Sequence, residues 1–200
     1  EVASGKFDTL IKTNLFVGST EFMQMVFSRA GKENVGVPFN SNRVEEIQTL
    51  GEAKERIKSG ERLFLKPVQI KLFTGFVHDG FDYSCIRDLP DSTEVIVSDP
   101  FKSKIRSEWR IYVSSLSIKD SHLYSGDFRA TPDYTAIDHL IDSNFVIGFP
   151  TCYTIDVGIL ENGNQVVIEY NDMWAIGNYG VPNSDYLRML KNRYFQIMNS

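Results

Sequence analysis

A chain of 200 residues and 22.8 kDa has the size of one compact domain or of two tightly joined lobes. With 42% apolar and 24% charged residues it is excluded from the collagen-like, disordered and disulfide-scaffold classes. Lys and Arg total 21 against 26 Asp and Glu, and the resulting charge of −5 argues against a non-specific DNA coat and against adsorption on an anionic membrane.

No apolar run approaches the roughly 18 residues that a spanning helix needs, so no membrane segment is expected. No secretory pattern opens the chain. It begins at Glu1 rather than at a methionine, so its start is read as processed or trimmed. Cys85 and Cys152 form neither a disulfide framework nor a zinc site, and are read as reduced core or near-core thiols of a cytoplasmic protein.

In chain order, residues 14–18 read as a short buried strand. Ser19 then starts a helix with Phe22, Met23, Val26 and Phe27 at helical spacing and Gly31 as its stop. Residues 32–43 read as loop, and Glu52 to Lys58 as a short charged helix closed by Ser59 and Gly60. Strands are expected at 63–68, 73–77 and 94–97, with a turn at His78-Asp79-Gly80. A long strand from Trp109 to Ser115 is expected to pair with 122–126 across Lys119-Asp120. A helix opens at 131–133 and runs to about Asp142. Residues 153–160 and 165–170 form a hairpin about Asn162-Gly163. The chain closes on an amphipathic helix, 184–198, with Tyr186, Leu187, Leu190, Tyr194 and Ile197 on its core face.

The hairpin carries the chemistry. Glu169 and Asn171 are two apart and leave one face of their strand, and Asp156 can sit opposite them. Two carboxylates and an amide oxygen on one face suit a hard divalent cation such as Mg²⁺. The alternative is that these residues face solvent while Ile155, Val157, Ile168 and Tyr170 form the buried set. Arg62, Lys66 and Lys71 form one cationic group, and Lys102, Lys104, Arg106 and Arg110 another, either of which can be a solvated face. Lys66, flanked by apolar residues in Phe64-Leu65-Lys66-Pro67-Val68, needs an anionic partner, and Arg110 sits between Trp109 and Ile111. A strand lysine, a strand arginine and a carboxylate–metal site describe a nucleotide triphosphate pocket. There is no Walker A sequence, no Gly-x-Gly-x-x-Gly and no Gly-x-Ser-x-Gly, and His78, His122 and His139 share no metal-ligand spacing.

In chain order, Phe64-Leu65-Lys66-Pro67, Glu94-Val95-Ile96-Val97-Ser98-Asp99, Glu108-Trp109-Arg110-Ile111-Tyr112-Val113, Asp156 and Ile168-Glu169-Tyr170-Asn171 resemble an ATP-grasp enzyme over roughly residues 60–180. The acidic residue followed by Glu-x-Asn on the next strand is the most specific element. Residues 66–75 look more particularly like a phage and bacterial subgroup thought to include RNA ligases. The resemblance implies an α+β fold, two lobes clasping ATP behind a reduced N-terminal β-α cap. Its divisions would be 1–60 for the cap, 61–99 for the N-lobe and 100–200 for the C-lobe.

By that resemblance Lys66 contacts the ATP phosphates and Lys71 assists or faces the substrate. Val97 and Ser98 form the hinge that reads adenine, and Asp99 reaches the ribose. Arg110 stabilises the transferred phosphoryl group, and Asp156, Glu169 and Asn171 hold one or two Mg²⁺. Residues 172–180, with Trp174, Asn178 and Tyr179, border the acceptor. The implied activity is an ATP-dependent ligase of the cytoplasm (the host's, if phage-encoded) that activates a carboxylate as an acylphosphate, with a small molecule or peptide as acceptor. The alternatives are an RNA end-joining enzyme and a catalytically silent nucleotide-binding module.

Overall fold

The computed structural model describes residues 9–12, 14–33, 35–38, 43–69, 72–78 and 84–200. They divide into two compact units, one of residues 43–103 and the other of the chain up to 42 together with 104–200. The division places residues 43–58 with the strands that follow them, rather than with the opening of the chain.

Among the described residues the smaller unit is an antiparallel sheet backed by a helix. Strand β1 is Glu46–Thr49, helix α2 Leu50–Lys58, β2 Leu63–Pro67, β3 Phe76–His78 and β4 Glu94–Ser98, with sheet order β1-β4-β2-β3. Helix α2 starts at Thr49, whose hydroxyl accepts from the Glu52 amide while the Glu52 carboxylate accepts from the Thr49 amide. That reciprocal pair satisfies two donors that a helix start leaves unpaired. Leu50, Ala53 and Ile57 on the helix bury against Leu63, Leu65, Val95 and Val97 on the sheet. Strand alternation therefore turns Phe64 and Lys66 to the opposite face. Strand β1 was not foreseen, because Glu46-Ile47-Gln48-Thr49 lacks an apolar alternation. The strand expected at 73–77 is confined to Phe76–His78. At Gly75 a Cβ would lie 2.8 Å from the Phe64 ring, so the chain passes too close there to carry a side chain. The Asp79-Gly80 part of the expected turn lies outside the described residues.

The larger unit contains helix α1, Thr20–Arg29, and then β5 Ile105–Ser114, β6 Ser117–Gly126, α3 Tyr134–Val146, β7 Cys152–Leu160, β8 Gln165–Asp172, a 3₁₀ turn Met173–Ala175 and α4 Asn183–Met198. Its antiparallel sheet has the order β6-β5-β7-β8. Strand β7 is buried along its whole length because both of its faces are covered. Ile111, Val113, Ile155 and Val157 pack with Ile137 and Ile141 of α3 on one face. Tyr112 and Cys152 pack with Met173, Met189 and Leu190 on the other. Helix α1, capped by Ser19, sets Met23, Val26 and Phe27 against Trp174 and Tyr194.

Four expectations are corrected. Residues 14–18 form no strand, and Val17 is exposed, since among the described residues no neighbouring strand accepts their backbone bonds. The β5–β6 turn falls at Ser115 and Leu116, both at positive φ, and Lys119-Asp120 lies inside β6. Two residues at positive φ match the twist of a tight hairpin, but Ser-Leu carries none of the usual Asn-Gly signal. Cys85 is exposed, whereas Cys152 is buried, and both are free thiols. Leu187 is exposed on α4 and Met189 takes its place in the core. Among the described residues no helix is long and apolar enough to cross a membrane.

Candidate functional site

Three adjacent strands of the larger unit set a row of charged side chains on one face. Arg110 of β5 stands opposite Asp156 of β7, which stands opposite Glu169 of β8. The last pairing depends on a β-bulge. Val167 and Tyr170 both pack into the core under α3 although they are three residues apart. The β7–β8 register shifts between Asp156 and Val157, leaving Ile168 as the extra residue. Without that insertion Glu169 would share the core face of Val167; with it, Glu169 and Asn171 share the face of Asp156. The solvent-face alternative is thereby excluded for Asp156, which is 7% exposed.

Arg110 grips Asp156 with a two-pronged contact, Nε to Oδ1 at 2.7 Å and Nη2 to Oδ2 at 2.5 Å. The Asn171 amide donates to Glu169 Oε1 at 2.9 Å and to Asp156 Oδ2 at 3.5 Å. Above the arginine lie two aromatic rings. Its guanidinium carbon is 4.9 Å from the Tyr179 ring centroid and 5.4 Å from that of Tyr124, and the two rings meet edge to face. The Tyr112 hydroxyl fixes the loop that carries Tyr179. It donates to the Gly177 carbonyl at 2.7 Å and accepts from the Tyr179 amide at 3.2 Å.

The loop after Tyr179 turns at Gly180, whose φ is +124° and whose absent Cβ would lie 2.8 Å from the His122 ring. Gly180→Ala is expected to cost about 1–3 kcal/mol in unfolding free energy, measured in urea, because both the backbone angle and the space are refused to a side chain.

Electrostatics show the crowding of negative charge. Burial pushes the Asp156 carboxyl up to about 6, against the pull of Arg110 and with Glu169 adding to the rise. Glu108, two residues before Arg110 on β5, is also raised, first by burial and then by Glu169. A folded-state value above the ordinary 3.8 means that Asp156 holds its proton more tightly in the folded chain. Its contribution to stability is complete below about 3.8 and is lost as the pH rises through about 6. In buffer free of divalent cations, the stability of wild type relative to Asp156→Asn should therefore fall between those values. A difference independent of pH would contradict the burial of this charge.

This donor set fits Mg²⁺, with two carboxylates and an amide, all hard oxygen donors, and mutual repulsion that a cation relieves. Among the described residues no three His, Cys, Asp or Glu side chains group as a metal site.

The other expected residues lie in the smaller unit. Lys66 has the anionic partner its apolar flanks demanded: Nζ is 2.8 Å from Glu45 Oε1, with both side chains three-quarters buried. Val97 points into the core. Ser98 is 6% exposed, and its hydroxyl has no hydrogen-bond partner among the described residues. Asp99 is exposed just beyond β4, and Lys71 lies outside the described residues. Of the basic run, Lys102 and Lys104 are exposed, and Arg106 pairs with Asp127 at 2.8 Å. Sequence reasoning missed Glu45, Tyr112 and Tyr124. Each acts through a partner distant in the chain, so no local spacing marks it.

A family model for an ATP-grasp domain, family 2 of the R-2-K clade, matches residues 39–189. No curated protein matches the chain in sequence. Among solved structures, N5-carboxyaminoimidazole synthetase from Staphylococcus aureus complexed with ADP is similar at 11% identity and TM-score 0.50, over 88% of this chain and 50% of that one. A RimK domain ATP-grasp protein from Sphaerobacter thermophilus is similar at 12% identity and TM-score 0.46, over 96% and 68%. The D-alanine–D-alanine ligase from Coxiella burnetii gives 11% identity and TM-score 0.46, over 88% and 58%. The chain thus spans about half the length of the synthetase. Two antiparallel α+β units, the charged row on β5, β7 and β8, and a family match over more than half of the sequence agree: the chain belongs to the ATP-grasp domain family, in family 2 of the R-2-K clade.

Proposed function

We propose that the chain is an ATP- and Mg²⁺-dependent ligase that activates a carboxylate as an acylphosphate for attack by an amine or another nucleophile. The observation that carries this reading is the Arg110–Asp156–Glu169–Asn171 cluster, built on three neighbouring strands of an ATP-grasp chain. The ADP bound to the similar S. aureus synthetase supports ATP as the nucleotide.

In the proposed reaction an acceptor carboxylate oxygen attacks the γ-phosphorus. The bond to the bridging oxygen breaks and ADP leaves. An amine nitrogen then attacks the acyl carbon, inorganic phosphate leaves, and the nitrogen gives up a proton. Asp156, Glu169 and Asn171 hold Mg²⁺, which when bound neutralises phosphate charge and orients the transferred group. Arg110, held in one orientation by Asp156 and by the two tyrosine rings, offers a fixed cation to the charge that develops on the phosphoryl oxygens. Lys66 neutralises phosphate, and anionic phosphate competes with Glu45 for it. Lys71 assists in that role, the backbone at Val97 and Ser98 reads the adenine edge, and Asp99 reaches the ribose. The acceptor is a small molecule or a peptide.

The test is incubation of the chain with ATP, Mg²⁺ and pooled carboxylate and amine acceptors, with product nucleotide resolved by chromatography. Acceptor-dependent ADP with inorganic phosphate is expected. AMP as product would replace acylphosphate chemistry by nucleotidyl transfer, the chemistry of an RNA-joining enzyme. No nucleotide product with any acceptor would favour a silent nucleotide-binding module.

A further inference from the structure

We propose that Arg193 is a positioning residue for the carboxylate site, an inference that rests on reading Glu169 and Asn171 as metal ligands. Asp172 is the last residue of β8 and follows Asn171 directly. Arg193 of α4 reaches it through Nε to Oδ1 at 2.8 Å and Nη2 to Oδ2 at 2.6 Å. The two side chains are 9% and 5% exposed, as deeply buried a pair as Arg110 and Asp156.

The remaining guanidinium nitrogen, Nη1, donates to Gln196 Oε1 at 3.1 Å, and the same oxygen accepts from the Thr151 hydroxyl at 3.2 Å. Thr151 immediately precedes β7. One side of α4 therefore holds the outgoing end of β8 and the incoming end of β7, the two strands that carry Glu169, Asn171 and Asp156. Asp172 Oδ1 also accepts from the Trp174 amide at 3.4 Å, so the carboxylate fixes the chain's exit into the 3₁₀ turn as well.

Energetics separate positioning from plain stability. Removing two charges from water cancels most of their attraction, and apolar residues of similar volume often hold a fold equally well. What apolar residues lack is the planar two-pronged geometry that sets angle as well as distance. Groups that hold metal ligands in place typically change metal affinity when lost, by about 10–100-fold. Arg193 lies beyond the residues 39–189 matched by the family model, so this hold on β8 is supplied from outside the matched region.

The test uses the full chain, the double variant Arg193→Met with Asp172→Leu, and the single variant Arg193→Lys, which keeps the charge and loses the fork. Mn²⁺ serves as the probe, its binding followed by the loss of the free-ion electron paramagnetic resonance signal. The double variant is expected to melt near the wild-type temperature yet bind Mn²⁺ about 10-fold more weakly. In ATP turnover of Arg193→Lys the Mg²⁺ concentration for half-maximal rate should rise, with the rate at saturating Mg²⁺ nearly unchanged. Arg193→Lys should fall between the two and decides the matter if the double variant does not fold. Wild-type Mn²⁺ affinity in a folded variant overturns the positioning role. Failure of the unsubstituted chain to bind Mn²⁺ overturns the metal reading with it, and is recognised before any variant is compared.

Discussion

Glu169→Gln is expected to lower Mg²⁺-dependent ATP turnover by about 10²-fold or more while leaving the fold intact. Glutamine has nearly the volume of glutamate and keeps an oxygen for the 2.9 Å bond from Asn171. The side chain is only partly buried, so the exchange strands no charge. What it removes is one negative charge from the proposed metal-binding set of two carboxylates and an amide. It also removes the neighbouring charge that adds to the rise burial causes at Asp156 and Glu108. Combined with Asp156→Asn the loss should be complete. The measurement is ADP release at saturating Mg²⁺ beside a melting curve, and wild-type turnover in a folded Glu169→Gln chain would sink the assignment.

The largest stability effect is expected from Arg110→Met. It leaves Asp156 with its two oxygens buried and their cation gone, at a cost of about 3–5 kcal/mol. The same change withdraws the guanidinium from under Tyr124 and Tyr179. Without its partner the Asp156 carboxyl moves further upward and escapes part of the penalty by taking a proton. The loss should accordingly be smaller at pH 5 than at pH 7. Replacing both residues, Arg110→Met with Asp156→Leu, is expected to restore most of the lost stability, since no unpaired charge remains. Urea unfolding of the two single variants and the double variant gives the coupling directly. Additive losses would show that the pair does not act as a unit.

Much of the site was legible in the sequence, for a local reason. Glu169 and Asn171 are two apart, and the period of a strand places them on one face wherever the strand lies. The turn signal at Asn162-Gly163 brings β7 and β8 together, so Asp156 meets Glu169 through short-range pairing. Lys66 between Leu65 and Pro67 announced a need for an anion. It could not name Glu45, because the 2.8 Å contact joins residues 21 apart through a strand, Glu46–Thr49, that has no apolar alternation to betray it.

The errors have equally particular causes. The Ser115-Leu116 turn uses positive φ without glycine or asparagine, so the local sequence points instead to Lys119-Asp120, four residues downstream. Residues 14–18 are apolar enough for a strand but have, among the described residues, no strand to pair with. Leu187 and Met189 exchange roles on α4 because the helix buries a face set by the β7–β8 side of the sheet, and apolarity alone does not choose between neighbours.

Strand and helix periods and turn chemistry act over a few residues, so most elements, the charge types and the spacing of the acidic residues are legible along the chain. Which face those residues occupy, and what holds them, depends on packing between distant segments. The single extra residue at Ile168 shifts the phase of β8. The Arg110 grip, the tyrosine cover and the Arg193–Asp172 contact are then made between segments that nothing but packing brings together. Burial of charge is a property of surroundings, and surroundings exist only once the chain has folded.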